Sequence, residues 1–302
     1  MAEYSNKADL VIEDKKFAKE GLTLKNCKNA TIRNCDFTYN EAGKDMLYLS
    51  DCQNCKILNN KFHDKNTKGL GIKVAGSKTK DHLIENNEMY KLTYSASNGG
   101  EPIRLGNSNT SGCYFNCIIR NNYFHDLAAD PETVSNKSCG NIIENNRHEN
   151  CKSSFVVRHG GLCTIRNNRF VGEGGIRIYG YGNKIVSNQF KDNRSDKFPP
   201  ITLGAGTATK DPNFTTYSKP SGKSGESHAI YAQVRENTIQ DNVFENCKTR
   251  IFTRTDKPLK PLNNKLINNT EGKVTAAPEK TATEVAQEAM KNKKASETTT
   301  TT

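Results

Sequence analysis

Short runs of alternating apolar and polar residues recur along this chain, and each closes on the same corner. The phrase is an apolar β-former pair, a polar residue, Asn, then Asn or Cys, one variable residue, and usually Phe. Its first copy reads Thr31-Ile32-Arg33-Asn34-Cys35-Asp36-Phe37. Later copies end Asn59-Asn60-Lys61-Phe62, Asn86-Asn87-Glu88-Met89, Asn121-Asn122-Tyr123-Phe124, Asn145-Asn146-Arg147-His148 and Asn167-Asn168-Arg169-Phe170. Ser187-Asn188-Gln189-Phe190, Asp241-Asn242-Val243-Phe244 and Asn268-Asn269 continue the series. Counted on the second residue of each pair, from Cys35, the steps are 25, 27, 35, 24, 22, 20, 54 and 27 residues.

Most of these steps are one coil of a solenoid. Period-two segments of Ile, Val and Leu supply strands with one buried face. Asparagine tolerates the left-handed conformation and bonds its own backbone, so an Asn at a fixed coil position marks a repeated tight bend. Coils stacked about 4.8 Å apart let Asn bond Asn above and below. The asparagines are therefore structural, and the pattern predicts an all-β chain folded as a single-stranded right-handed parallel β-helix.

Two long steps mark insertions. The 35-residue step holds the Gly-rich excursion Tyr94 to Pro102. The 54-residue step holds Ser195 to Ser227, rich in Gly, Ser, Thr, Lys and Pro, and predicts two coils with a long surface loop over 191–230. The helical domain is expected to span 1–271, with 1–22 capping its open end. Residues 272–302 form a low-complexity tail, in which Thr281 to Lys294 can make a weak helix and Thr298 to Thr302 are expected to be disordered.

Composition adds a partner class. Lys and Arg number 44 against 33 Asp and Glu, a net +11 that favours a polyanion or simply a basic soluble surface. Nucleic acid is disfavoured because the basic residues are dispersed and no recognised module occurs. No stretch nears the ~18 apolar residues of a membrane span, and the first residues lack the apolar core of an export signal. Ten cysteines are present, of which Cys27, Cys35, Cys55, Cys117, Cys151 and Cys247 each follow an Asn. That is a repeat position, so stacked buried thiols are expected rather than disulfides. Cys52-x-x-Cys55 has no partner pair, which argues against zinc.

One stretch, Asp130 to Ser138, departs from the repeat. Asp130 and Glu132 stand two apart, so in an extended segment they share a face and can share a hard cation. Lys137 and Arg158 are 21 residues apart, about one coil, and Asn98 and Arg104 lie one coil earlier. Carboxylates, an amide, a lysine and two arginines over three rungs suit a charged catalytic site. A row of exposed salt bridges would have the same spacing.

Three segments here resemble polysaccharide lyase family 6, the alginate lyases and chondroitinase B: Asn98-Gly99-Gly100-Glu101-Pro102-Ile103-Arg104-Leu105-Gly106, Glu132 to Ser138, and Arg158-His159-Gly160. The resemblance covers roughly residues 25 to 250. It implies Lys137 as general base, Arg158 as general acid, and Asn98, Asp130 and Glu132 as ligands of a Ca2+ cofactor. Arg104, Glu101 and His159 fall at substrate-binding positions, and Arg177 and Tyr179, one coil on, would line a subsite. Asp130 stands where the family has glutamate, and fewer N-terminal coils precede the site than in typical members. The implied function is calcium-assisted β-elimination on an acidic polysaccharide, alginate foremost, with glycosaminoglycan or polyglucuronate as other uronate substrates. The implied protein is a monomer acting outside the cytoplasm. A non-catalytic glycan-binding or fibre β-helix and a uronate C5-epimerase are the competing readings.

Overall fold

The computed structural model describes residues 1–94, 98–110, 112–128, 130–207 and 231–274. Thirty short strands build three parallel ten-stranded sheets, and each strand pairs with the strand three places further along the chain. One turn of chain thus contributes one strand to each sheet. This is the parallel β-helix that the repeat predicts, with a single 3-10 turn, Ser108–Thr110, and no α-helix among the described residues.

Register explains the periodicity. In the second sheet nine isoleucines, from Ile12 to Ile239, occupy one inward rung after another. In the third, Phe17, Phe37 and Phe62 stack at 4.6 and 4.5 Å, and Phe170, Phe190 and Phe244 at 4.9 and 5.2 Å. Each such side chain contributes about 1.5–3 kcal/mol by leaving water. These ladders merge into one continuous interior core.

The corners divide the work of each Asn pair. The first member takes the left-handed conformation, as Asn34 (φ 55°), Asn59 (φ 56°) and Asn121 (φ 56°) do. The second turns inward, and its amide donates to the next: Asn60 to Asn87 at 3.0 Å, Asn87 to Asn122 at 3.0 Å, and so on to Asn269. Buried amides left unpaired would be costly, so the ladder satisfies what burial demands. None of the ten cysteines is in a disulfide, and eight are fully buried.

Three expectations change. Residues 1–22 follow the coil repeat rather than a separate capping fold: Ala2–Ser5, Val11–Glu13 and Lys16–Phe17 form a coil in register with the next. The 54-residue step is one coil, since Lys184–Val186 pairs directly with Thr238–Gln240 and Gln189–Lys191 with Val243–Glu245. Its insertion starts only after the strand Ile201–Leu203, and 208–230 lie outside the described residues, as do 275–302 with the expected weak helix and Thr run. The 35-residue step carries two excursions, one on each side of Ile103–Leu105.

Candidate active site

The candidate residues collect on the outer face of the first sheet, over Ile103–Leu105, Glu132–Asn136, Ser154–Val157 and Gly175–Ile178. Pairing sets Arg104 beside Ser135, Ser135 beside Val156 and Val156 beside Arg177. Two residues further along each chain run comes a second row. Lys137, Arg158 and Tyr179 are fixed there by backbone N–H groups donating to Leu105 (2.7 Å), Asn136 (2.8 Å) and Val157 (2.9 Å). Neighbouring coils thus place a lysine and three arginines on one surface.

Glu132 reaches this face through an irregularity. It pairs with Ser154 while Val134 pairs with Phe155, so Thr133 is an extra residue, a β-bulge. Glu132 accepts from Arg177 Nη2 at 2.8 Å, lies 3.8 Å from Arg158 Nη1 and accepts from the Ser135 hydroxyl. Burial works to raise its pKa, but Arg177, Arg158 and Lys137 outweigh burial and hold it below the ordinary glutamate value. Asp130 has the opposite fate. Burial, then the charges of Glu101 and Glu132, push it up to about 7, against weaker donation from the N–H groups of Glu132 and Gly100.

Lys137 is almost enclosed, its Nζ 3.6 Å from Glu101 Oε1. Burial lowers its pKa, and Arg104 and Arg158 add to that; Glu101 and Glu132 pull the other way without prevailing. Arg158 is the reverse case: burial opposes its charge, but Glu132 and Tyr231 raise its pKa. The Nε groups of Arg104, Arg158 and Arg177 are buried with no hydrogen-bond acceptor. Three unpaired cationic donors on the face that holds a lysine of lowered pKa form a site suited to an anionic oxygen ligand.

The residues fit a hard cation in their donor chemistry. Asp130 Oδ2 is buried without a hydrogen-bond partner, and the carboxylates of Glu101 and Glu132 are close enough to act on Asp130. Asn98 is exposed, two residues before the Gly100 amide that reaches Asp130. Among the described residues no three His, Cys, Asp or Glu side chains already converge at metal spacing.

Residues 11–213 match the chondroitinase B family. The chain belongs to that family. Solved structures with the fold of this family member include a mannuronic-acid-specific polysaccharide family 6 lyase from human gut microbiota, at 20% identity and TM-score 0.58, covering 90% of this chain and 75% of that one. A second is an alginate lyase of the same family complexed with a trisaccharide, at 19% identity and TM-score 0.62, covering 90% and 81%. The alginate lyase AlyF-OU02 gives 18% identity and TM-score 0.58, covering 94% and 79%. No curated protein matches.

In this chondroitinase B family member, the structure brings Asp130, Glu132, Lys137, Arg104, Arg158 and Arg177 together on one face. Glu101 and His159, expected against substrate, are each only 1% exposed. Glu101 lies behind Arg104 and Lys137 as their counter-ion, and His159 sits beneath Ser108. Tyr179 is also buried, under Tyr231 with ring centres 4.8 Å apart, and needs the bare backbone of Gly204, where a Cβ would fall 2.1 Å from the ring. Sequence reasoning missed Tyr231, whose hydroxyl accepts from Arg158 Nη2 at 3.3 Å. It stands at the foot of the insertion, joined to Thr207 by two backbone-anchored bonds of 2.8 and 2.9 Å. No repeat phrase includes it; a lone aromatic at the return of a polar loop was the only sign.

Proposed function

We propose that this polysaccharide lyase cleaves a uronate polymer, alginate foremost, by β-elimination on the outer face of the first sheet, with Lys137 as base. The observation that carries the reading is the buried Lys137 amine, lowered in pKa by burial and by Arg104 and Arg158, whose Nε donors are unpaired, with Arg177 held beyond on Glu132. The arginines neutralise the uronate carboxylate and orient the sugar. Neutral Lys137 Nζ takes the C5 proton, the C–H electrons become the C4=C5 double bond, and the C4–O4 bond breaks. Arg158 holds its own proton too firmly to be an effective acid, so it donates a hydrogen bond to the departing O4 while water supplies the proton. Ca2+ held by Asp130 and Glu132, with the Asn98 amide, would supply further positive charge against the uronate carboxylate.

The test is incubation with alginate, polyglucuronate and dermatan sulfate, each with calcium or chelator, following ultraviolet absorbance of unsaturated ends. Absorbance should rise with at least one polymer. A changed sugar composition without absorbance would make the chain an epimerase, and neither change would leave a binder.

A further inference from the structure

The bulge that delivers Glu132 has its own support inside the coil. Side chains alternate along a strand, so with Ser135 outward and Val134 inward, Thr133 would face out and Glu132 in. The structure shows the reverse. Thr133 is fully buried, its hydroxyl 2.9 Å from His148 Nε2 and bonded to the Ser153 hydroxyl, while Glu132 meets Arg158 and Arg177 outside.

His148 is out of character for its place. It occupies the inward rung of the third sheet, between Phe124 and Phe170, in a ladder where seven of ten rungs are Phe. Burial pushes its pKa down to about 3, so it is a neutral imidazole. A polar ring in an apolar column costs stability unless it is hydrogen-bonded, and Thr133 is its hydrogen-bonded neighbour. The coil beyond leaves it space: a Cβ on Gly174 (φ +110°) would lie 2.5 Å from His148 Cε1 and 2.5 Å from the Ser153 carbonyl.

We propose that Thr133, His148 and Ser153 form a buried clamp that holds the bulge and thereby positions Glu132 against Arg158 and Arg177. They are positioning residues, and their effect on turnover rests on the lyase reading above. Ser153 and Gly174 shape the pocket, while the Thr133–His148 hydrogen bond fixes which way the strand slips.

The test pairs turnover with a backbone measurement. Thr133→Val keeps the shape and removes the hydroxyl; His148→Phe joins the Phe rungs on either side of it and should melt no lower than wild type. Both should lower kcat about tenfold or more with less change in KM, as expected for displaced reacting groups. Both should also speed exchange of the Ser154 amide, which donates to Pro131 at 3.1 Å across the bulge. Thr133→Ser, which restores the hydroxyl, should recover both. Wild-type exchange at Ser154 in Thr133→Val and His148→Phe would overturn the clamp whether or not the protein turns over any polymer. Absent turnover by wild type would instead overturn the lyase reading, leaving the exchange result to judge the clamp.

Discussion

The outer faces of the first and second sheets are made by the same coils from the same residue types, yet they do opposite things with charge. On the second sheet, Arg33 pairs with Glu13, Arg120 with Glu85 and Arg166 with Glu144, each across adjacent rungs at 2.6 to 2.7 Å between Nε and a carboxylate oxygen. Those arginine side chains are 38 to 49% exposed. On the first sheet, Arg104, Lys137, Arg158 and Arg177 are only 8 to 24% exposed, and the three arginine Nε donors find no acceptor. Local neutrality makes a wall; buried, unevenly paired cations make a place for an anion. Spacing along the sequence is nearly the same in both.

The comparison breaks most sharply at Lys137. Lys137→Ala should reduce kcat by about a thousandfold or more if the amine removes the C5 proton. In the wild type the rate should rise with pH as the amine loses its proton, through a pKa below the ordinary lysine value because burial, Arg104 and Arg158 disfavour its charge. Steady-state assays across pH on the substrate polymer measure both effects. Undiminished turnover by the alanine variant would remove the proposed base and reduce the first sheet to a binding face.

Much of this was legible beforehand because the coil repeat is a ruler. Once the Asn pairs fixed the coil length, the 21 residues between Lys137 and Arg158 implied adjacent rungs, and the structure aligns them. What the ruler could not measure was depth. Glu101 and His159 sit in matching segments but behind the surface, Glu101 against Arg104 and Lys137 and His159 against Ser108. Nor does periodicity report a bulge: alternation would have sent Glu132 inward, and the extra residue Thr133, whose hydroxyl meets His148, turns it outward. The insertion hid the rest, since Tyr231 approaches Arg158 from a loop foot with no repeat of its own.

On the first sheet the crowding of charge also reaches stability, through Asp130. Its pKa is raised on folding from 3.8 to about 7, so between those values the native state holds a proton that the unfolded chain releases. Stability from this group is present below pH ~4 and is lost as pH rises through about 7, a deficit of at most ~4 kcal/mol. Without calcium, Asp130→Asn should therefore melt above wild type at pH 8 and alongside it at pH 4. Calcium should narrow the gap at pH 8 by stabilising only the carboxylate. Melting curves at both pH values, with chelator and with calcium, check this; an equal difference at both pH values would mean that burial and the neighbouring carboxylates do not hold a proton on Asp130.

The smallest effect is expected on the second sheet, and it tests whether exposure is what separates the two faces. Arg166→Ala removes the 2.7 Å pair with Glu144, but the arginine is half in water, and its removal uncovers the 11%-exposed glutamate to solvent. Such pairs contribute about 0–1 kcal/mol, and salt screens what they do contribute. Denaturant midpoints of wild type and Arg166→Ala should differ slightly in dilute buffer and coincide at ~1 M NaCl, where the screening length is about 3 Å, with turnover unchanged throughout. A loss of turnover in that variant would mean that the salt-bridged wall also touches substrate, and charge pairing alone would no longer distinguish the two faces.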